Sequence, residues 1–170
     1  MVNVFATDID PVIAAYNLDD KRVVKMCVET AQLLSQALIA NGSSATGIYA
    51  SNHAKHPSAL WAGSTRANFM WLVTHGLALC DCYTNVYYKR HKSRDVIEQC
   101  RLNASDIPDG PITTFAIAAD RVQYSMLDRS EPVECYRHYM RIKWYNDKRK
   151  PTWRNRGCPY WADDLFGTKV

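Results

Sequence analysis

The chain has 170 residues, of which 47% are hydrophobic and 22% are charged, and its formal net charge is +4 at pH 7. This length suits one domain with a real buried core. No apolar run approaches the roughly 18 residues of a membrane span, and the start of the chain lacks the pattern of a signal peptide, so we expect a cytoplasmic protein. Its six cysteines are then expected to be reduced thiols without disulfides.

The positive charge is concentrated near the C-terminal end of the chain. Residues 1–136 contain 12 Lys and Arg against 14 Asp and Glu, whereas residues 137–170 contain 9 against 3. A local basic region indicates a polyanionic partner more reliably than the overall charge does.

The first motif along the chain is Asp8-Ile9-Asp10-Pro11. Asp10 followed by Pro11 is typical of a helix start, here continuing to about Tyr16. Asp8 and Asp10 are also candidate oxygen ligands for a divalent metal. Capping is the more common use of such residues, so we predict no metal site and no cofactor.

The strongest pattern in the chain predicts one amphipathic helix from Leu18 to Ile39. Asp19 and Asp20 have the chemistry of an N-cap and first turn, and the Asn41-Gly42 pair suits the end of a helix.

One polar stripe runs along this helix, within roughly 80° of arc. It consists of Lys21, Lys25, Glu29, Gln32 and Gln36. The stripe is either a solvated face or one side of a site. Lys25 precedes Glu29 by four residues, the weaker order for stabilising a helix, so helix stability alone does not explain this pair. A carboxylate held beside a lysine is a usual arrangement for a catalytic group.

Residues 41–56 have no period and are rich in Gly, Ser, Ala and Asn, which predicts a loop. This loop brings His53 and His56 to Pro57, where a new helix is expected to begin. The two histidines are candidate zinc ligands together with Cys80 and Cys82. A Cys-x-Cys spacing is not the usual one for zinc, so we do not predict a zinc site.

The helical pattern from Pro57 continues to about Tyr88, with a break near Gly63-Ser64 where Ser64 is the expected cap. If this helix were continuous, one face would carry aromatic and polar side chains within roughly 80°. These are Trp61, Ser64, Asn68, Trp71 and His75. Such a face is either core with buried polar partners or the wall of a pocket with stacking surfaces.

After a short basic run at residues 89–94, the pattern predicts a helix from about Asp95 to Leu102 and a turn-rich linker over residues 103–111. Residues 112–119 form an apolar segment whose state the pattern leaves open. A last helix is expected from Pro132 to about Asn146.

Residues 137–161 form a basic segment interleaved with aromatic side chains. Positive charge neutralises phosphates and aromatic faces stack on exposed bases, so this composition favours binding to nucleic acid. The alternative is a tail that packs its aromatic rings into the core and leaves its charges in solvent. The candidate DNA-binding residues are Arg141, Lys143, Lys148, Arg149, Lys150, Trp153, Arg154 and Arg156.

Four short motifs, in order along the chain, resemble the pyrimidine-dimer DNA glycosylases, the endonuclease V type of glycosylase and AP lyase. They are Asp10-Pro11, Leu18-Asp19 with Val23-Val24 and Glu29, His56-Pro57, and Lys150-Pro151-Thr152-Trp153. They are similar to the His-Pro, Leu-Asp with catalytic glutamate, second His-Pro and Arg-Pro-Thr-Trp motifs of that family, the last of which belongs to the phage enzyme. The resemblance implies a compact, mainly α-helical single domain over residues 1–170.

The resemblance also implies a mechanism. The free N-terminal amine attacks the sugar C1′ of the damaged nucleotide, displaces the base and forms a Schiff base, from which the strand is cleaved. An α-amine suits this role because its pKa near ~8 leaves a neutral fraction at neutral pH. Val2 is small enough that removal of Met1 is expected, which makes the Val2 amine the implied nucleophile. Glu29 would stabilise the cationic sugar and manage protons.

Two positions depart from the family pattern. The phage enzymes present threonine where this chain has Val2, and Val28 stands where they have an arginine beside the glutamate. Lys25 either supplies that positive charge or is itself the Schiff-base lysine, if burial lowers its pKa. The implied partner is double-stranded DNA, with candidate substrate-binding residues Lys21, His53, His56, Trp61, Ser64, Asn68 and Trp71.

Two other functions stay open from the sequence. One is a non-catalytic nucleotide or signalling-molecule binder that uses Lys25, Trp61, Asn68 and Trp71. The other is a metal-dependent nuclease or hydrolase built on Asp8, Asp10 and the histidines.

Overall fold

The computed structural model describes residues 2–50 and 52–167 and is mainly α-helical, as the pattern predicts. Within those ranges there is no β-strand. The helices in the described residues are α1 (Pro11–Tyr16), α2 (Asp20–Ala40), α3 (Pro57–Ser64), α4 (Arg66–Tyr87), α5 (Ser93–Leu102), α6 (Pro132–Asn146) and α7 (Asp163–Phe166).

Helix α2 is the central element, and it packs against α3, α4 and α5. Asp19 is its N-cap residue, and Gly42 after its C-terminal end has φ +71°, a conformation that glycine adopts without strain. The predicted helix from Leu18 to Ile39 is therefore confirmed to within two residues at each end. The apolar side of α2 is buried completely at Val23, Leu33 and Leu38, which places its polar stripe toward the edge of the core.

By length and composition α2 could also cross a membrane, which corrects the expectation that no segment reaches that size. However, 67% of its most apolar stretch is buried inside the fold. The core helix of a soluble protein has the same properties, so α2 is weak evidence for a span.

The break between α3 and α4 lies at Thr65, whose backbone is extended (φ −141°, ψ 150°). Its Oγ1 accepts the backbone N–H of Asn68 at 3.1 Å, so Thr65 is the N-cap of α4. The prediction that Ser64 caps this helix is wrong. Ser64 instead donates its hydroxyl to the carbonyl of Trp61 at 2.8 Å. Because the helix is interrupted, the continuous face from Trp61 to His75 does not exist.

Residues 112–119 form an irregular segment that side chains from other elements hold in place. The amide of Thr113 donates to Oδ1 of Asn68 at 2.8 Å. The amide of Ala118 donates to the Tyr136 hydroxyl at 3.0 Å, and the Ala118 carbonyl accepts from Nδ2 of Asn3 at 2.8 Å. These side-chain bonds satisfy three backbone groups of a segment that forms no β-strand among the described residues.

The C-terminal tryptophans pack onto the body of the protein, whereas Tyr145 and Tyr160 are 76% and 77% exposed. Trp144 is 1% exposed, stacks on Trp161 with ring centroids 5.4 Å apart, and meets Trp153 edge to face at 5.0 Å. The indole N–H of Trp153 donates to the carbonyl of Asn17 at 2.9 Å. These tryptophans are therefore part of the core rather than an exposed stacking surface.

Candidate functional site

Val2 and Asn3 lie beside the middle of α2. The peptide group that joins Val2 to Asn3 is held at both of its polar ends: its N–H donates to Glu29 Oε2 at 2.8 Å, and its carbonyl lies 2.7 Å from Nε2 of His56. Two side chains that are far apart in sequence therefore fix the start of the chain.

The hydrogen bonds of His56 define its tautomer. Its Nδ1 accepts the amide N–H of Ser58 at 3.1 Å, so the ring proton is on Nε2 and is donated to the Val2 carbonyl. Burial lowers the pKa of His56, against the opposing effect of the Val2 carbonyl. His56 is therefore a neutral donor at pH 7, and it also acts as the N-cap of α3.

Glu29 is buried, with 5% of its surface exposed, although it lies in the polar stripe of α2. Its Oε1 pairs with Nζ of Lys25 at 3.0 Å, and the Lys25 side chain is 65% exposed. The Schiff-base alternative for Lys25 requires burial, which this lysine does not have. Lys25 is placed instead to supply positive charge beside the carboxylate.

A cavity of about 280 Å³ opens beside this carboxylate. Its lining residues are Asn3, Phe5, Lys21, Arg22, Lys25, Met26, Glu29, Tyr139 and Lys143. Four of these nine side chains are cationic, which makes the cavity a favourable place for an anion. Burial lowers the pKa of Lys143, and the nearby charges of Arg22 and Lys25 act in the same direction.

Asn3 is a site residue that sequence reasoning missed. It is 3% exposed, and its Nδ2 donates to the Ala118 carbonyl at 2.8 Å while its Oδ1 accepts the amide of Val4 at 2.8 Å. The hydroxyl of Tyr136, 133 positions later, lies 3.4 Å from Oδ1 of Asn3. It donates to the carbonyl of Ala116 at 2.8 Å and so also contacts residues 112–119. No spacing rule in the sequence connects residues this far apart.

The structure separates the predicted substrate-binding residues. Lys21 lines the Glu29 cavity, and His53 lies with its ring 6.3 Å from that of His56. By contrast, Asn68 is completely buried and donates to the Trp61 carbonyl at 3.0 Å. Trp61 and Asn68, with Ser64 between them in sequence, hold α3, α4 and residues 112–119 together and do not line the cavity.

Trp71 borders a second and larger cleft of about 1,050 Å³. The lining also includes Met70, Phe115, Glu131 and Glu134. In the part of the chain that the structure describes, no lysine or arginine lines this cleft, so these residues do not supply the positive charge that a phosphate would require.

Most guanidinium groups of the basic segment have carboxylate partners within the chain. Arg141 binds both oxygens of Asp164, at 2.6 and 2.9 Å. Arg154 and Arg156 both pair with Asp20, at 3.2 and 2.9 Å. These pairs leave less charge for phosphates than the sequence alone indicates.

Lys148, Arg149 and Lys150 differ from these arginines. All three are exposed, and none has an ion-pair partner among residues 2–50 and 52–167. Together with Lys143 in the cavity, they are the candidate DNA-binding cations that the structure leaves available.

The residues proposed for a metal-dependent nuclease have structural partners. Asp10 caps α1 by accepting the amides of Val12 and Ile13 at 2.8 and 3.1 Å, and Asp8 pairs with Arg137 at 3.3 Å. Among the described residues, the group that could hold a metal is a different one, Cys27 with Cys80 and His91.

Comparison of the chain with protein-family models, curated proteins and solved structures found no match. The kind of protein can therefore be described only from its fold and its candidate site. This is a mainly α-helical protein whose N-terminal peptide is clamped against a buried glutamate at the edge of a cationic cavity.

Proposed function

We propose that this protein is a DNA glycosylase with an associated AP lyase activity, acting on a damaged or modified pyrimidine through the α-amine of Val2. The observation that carries the proposal is the clamping of the Val2–Asn3 peptide by Glu29 and His56. Consecutive Cα atoms are about 3.8 Å apart, so the Val2 amine lies within a residue's length of the amide that binds Glu29. The proposal requires loss of Met1, which lies outside the described residues.

The chemistry assigns each of these groups a role. The neutral Val2 amine forms a bond to C1′ as the bond from C1′ to the base breaks, and the base leaves with its electron pair and takes up a proton. The amine nitrogen gives up one proton, its lone pair then opens the sugar ring, and the ring oxygen takes up a proton, which gives the protonated Schiff base. Removal of a proton from C2′ then expels the 3′ phosphate. Glu29 is the carboxylate placed to stabilise the cationic sugar and to transfer these protons.

The cations around the cavity support a phosphate-bearing substrate. Lys21, Arg22, Lys25 and Lys143 line the same cavity, and the exposed residues 148–150 directly follow Asp147, the partner of Arg22. Arg22 is already paired with Asp147 at 2.7 Å and Lys25 with Glu29 at 3.0 Å, so Lys21 and Lys143 are the lining cations without an ion-pair partner within residues 2–50 and 52–167. Binding should weaken steeply with salt because condensed cations are released from DNA.

Borohydride trapping on duplex DNA with one abasic site tests the proposal. The purified protein, with loss of Met1 checked by intact mass, should form a covalent adduct that maps to Val2. Glu29→Gln should lower the rate of trapping by about 10²–10⁴-fold, the usual contribution of a general acid or base, with DNA affinity maintained.

Lys25→Gln is the matched control, because it removes the ion-pair partner and leaves Glu29 in place. Its adduct should still map to Val2. An adduct on Lys25 or Lys143 would contradict the assignment of the nucleophile. Absence of any adduct while DNA binding is intact would overturn the lyase proposal, and strand cleavage that disappears in EDTA would favour a metal-dependent nuclease.

The cationic cavity also favours one alternative, a non-catalytic protein that binds a small phosphorylated ligand. The cavity volume of about 280 Å³ is near the lower limit for small-molecule sites. This alternative predicts saturable binding of a mononucleotide by calorimetry, abolished by Lys143→Gln, with no strand scission. The trapping experiment separates the two functions directly.

A further inference from the structure

Three metal-ligating side chains meet on the side of α2 that faces α4. They are Cys27 from α2, Cys80 from α4 and His91 from the connection between α4 and α5. One ligand atom from each lies within 4.8 Å of the other two. Neither the polar stripe nor the Glu29 cavity includes any of them.

We propose that Cys27, Cys80 and His91 bind a single Zn²⁺ ion. Two thiolates and an imidazole form a ligand set that suits zinc, and three protein ligands leave a fourth tetrahedral position for water. Sulfur and nitrogen atoms around one zinc are about 3.5–3.8 Å apart, given the usual bond lengths. Donor atoms already within 4.8 Å therefore need only small inward shifts.

The surroundings of the three ligands fit a built site. Both sulfurs are on long helices and completely buried, which limits their movement, whereas His91 is half-buried and gives access from solvent. The ring of Tyr83 packs edge to face on His91 with centroids 4.7 Å apart. The ligands therefore come from two rigid elements and one adjustable connection.

Positive charge lies beside the sulfur atoms. The guanidinium groups of Arg94 and Arg90 lie close enough to Cys80 to act on it electrostatically. These guanidinium groups form exposed ion pairs with Asp81 and Asp95. Two thiolates balance the charge of one Zn²⁺, so the buried centre with a neutral imidazole would carry no net charge and would need no further counter-charge.

His91 links metal binding to the start of α5. Without metal, its Nδ1 accepts the amide N–H of Ser93 at 3.1 Å, so the ring proton is on Nε2. The Val24 backbone accepts a hydrogen bond from the His91 ring. Coordination through Nε2 therefore replaces the hydrogen bond to Val24, moves the ring proton to Nδ1 and breaks the hydrogen bond from Ser93. Zinc binding should therefore speed hydrogen exchange at the Ser93 amide, an effect that is independent of the proposed DNA chemistry.

Titration with Co²⁺, a spectroscopic substitute for Zn²⁺, tests the site. The protein as purified is treated with a non-thiol reductant, dialysed against chelator and transferred to metal-free buffer. Co²⁺ should produce a thiolate-to-cobalt charge-transfer band that saturates at one equivalent, and Zn²⁺ should remove it. Cys80→Ser should abolish most of the band.

Cys80 is buried, so Cys80→Ser can disturb the core as well as remove a ligand. His91→Gln is the second variant, because His91 is only half-buried and its replacement should leave the core intact. It should retain a thiolate band but weaken Co²⁺ binding by more than about 100-fold, beyond the usual cost of losing a supporting residue. Cys158→Ser is the matched control and should titrate like the unaltered protein, since Cys158 lies outside the cluster.

Circular dichroism confirms that each variant is folded. A folded unaltered protein that gives no charge-transfer band would overturn the proposal. So would a band that survives intact in both Cys80→Ser and His91→Gln, because the cobalt would then be bound elsewhere.

Discussion

Two carboxylates of the same helix are equally buried and are used in opposite ways. Asp20, in the first turn of α2, is 3% exposed, and Glu29, two and a half turns later, is 5% exposed. Asp20 accepts from the Thr152 hydroxyl at 2.8 Å, from the amide and side chain of Arg154, and from the Arg156 guanidinium at 2.9 Å. Its oxygens are fully occupied by the C-terminal segment.

Glu29 has fewer partners and more space. Among residues 2–50 and 52–167, Glu29 accepts from one amide, that of Asn3, and from the exposed ammonium of Lys25, and a cavity opens beside it. An ionised carboxylate can accept about four hydrogen bonds, so Glu29 retains capacity that Asp20 has used. Burial alone therefore does not identify a functional carboxylate, whereas burial with unused capacity and an adjacent cavity does.

The largest expected effect that tests this comparison is on stability. Asp20→Ala leaves Arg156, whose side chain is 8% exposed, without its buried partner. Removing one member of a buried pair costs about 3–5 kcal/mol. Urea unfolding followed by circular dichroism should show that loss in the free energy of unfolding.

Asp95→Ala is the control for that measurement, because the Asp95 side chain is 73% exposed in its pair with Arg90. Exposed pairs contribute at most about 1 kcal/mol. Equal effects of Asp20→Ala and Asp95→Ala would mean that Asp20 does not anchor the C-terminal segment.

The second prediction concerns the loss of stability at low pH. The group responsible is a buried histidine, His75, and neither Asp20 nor Glu29 is involved. His75 is 0% exposed, stacks on Trp71 at 5.1 Å and donates from Nδ1 to the Pro11 carbonyl at 3.0 Å. Burial lowers the pKa of His75 from 6.5 to about 4. The unfolded chain therefore takes up a proton at this residue first as the pH falls.

Because the unfolded chain is protonated at His75 before the folded protein is, lowering the pH favours unfolding. Stability is unaffected by His75 above pH ~6.5, falls as the pH drops below it, and levels off near pH ~4, with a total loss of about 3 kcal/mol. Urea midpoints measured between pH 7.5 and 4.5 give the slope. His75→Gln should flatten it, and an unchanged slope in that variant would show that another group is responsible.

Much of the fold was predictable because its helices carry local signals. Asp10-Pro11 begins α1 and Pro132 begins α6, as their sequence patterns predict. The choice of Thr65 over Ser64 as a cap was not predictable, because both residues have the required hydroxyl. Long-range contacts hold the break between α3 and α4: the Thr65 hydroxyl donates to the Pro111 carbonyl at 2.8 Å, and the Arg66 amide donates to the Pro108 carbonyl at 2.7 Å.

The candidate site was predictable only in part. The spacing of Lys25 and Glu29 identified the ion pair, since helix geometry brings residues four apart together. The bonds from Asn3 and His56 are long-range, and no periodic pattern encodes them. The pairing of Arg154 and Arg156 with Asp20 was missed for the same reason, so the sequence overstated the charge available to DNA.

The smallest expected effect is the one that distinguishes Glu29 most sharply from Asp20. In Glu29→Gln the side-chain carbonyl can still accept the Asn3 amide, and only the partly exposed pair with Lys25 is lost. The free energy of unfolding should change by less than about 1 kcal/mol. Urea unfolding in parallel with Asp20→Ala measures the difference, and the trapping rate of the same Glu29→Gln sample shows whether chemistry is lost while stability is kept. If Glu29→Gln destabilised the protein as much as Asp20→Ala, Glu29 would be a second structural anchor, and its loss of activity would no longer indicate catalysis.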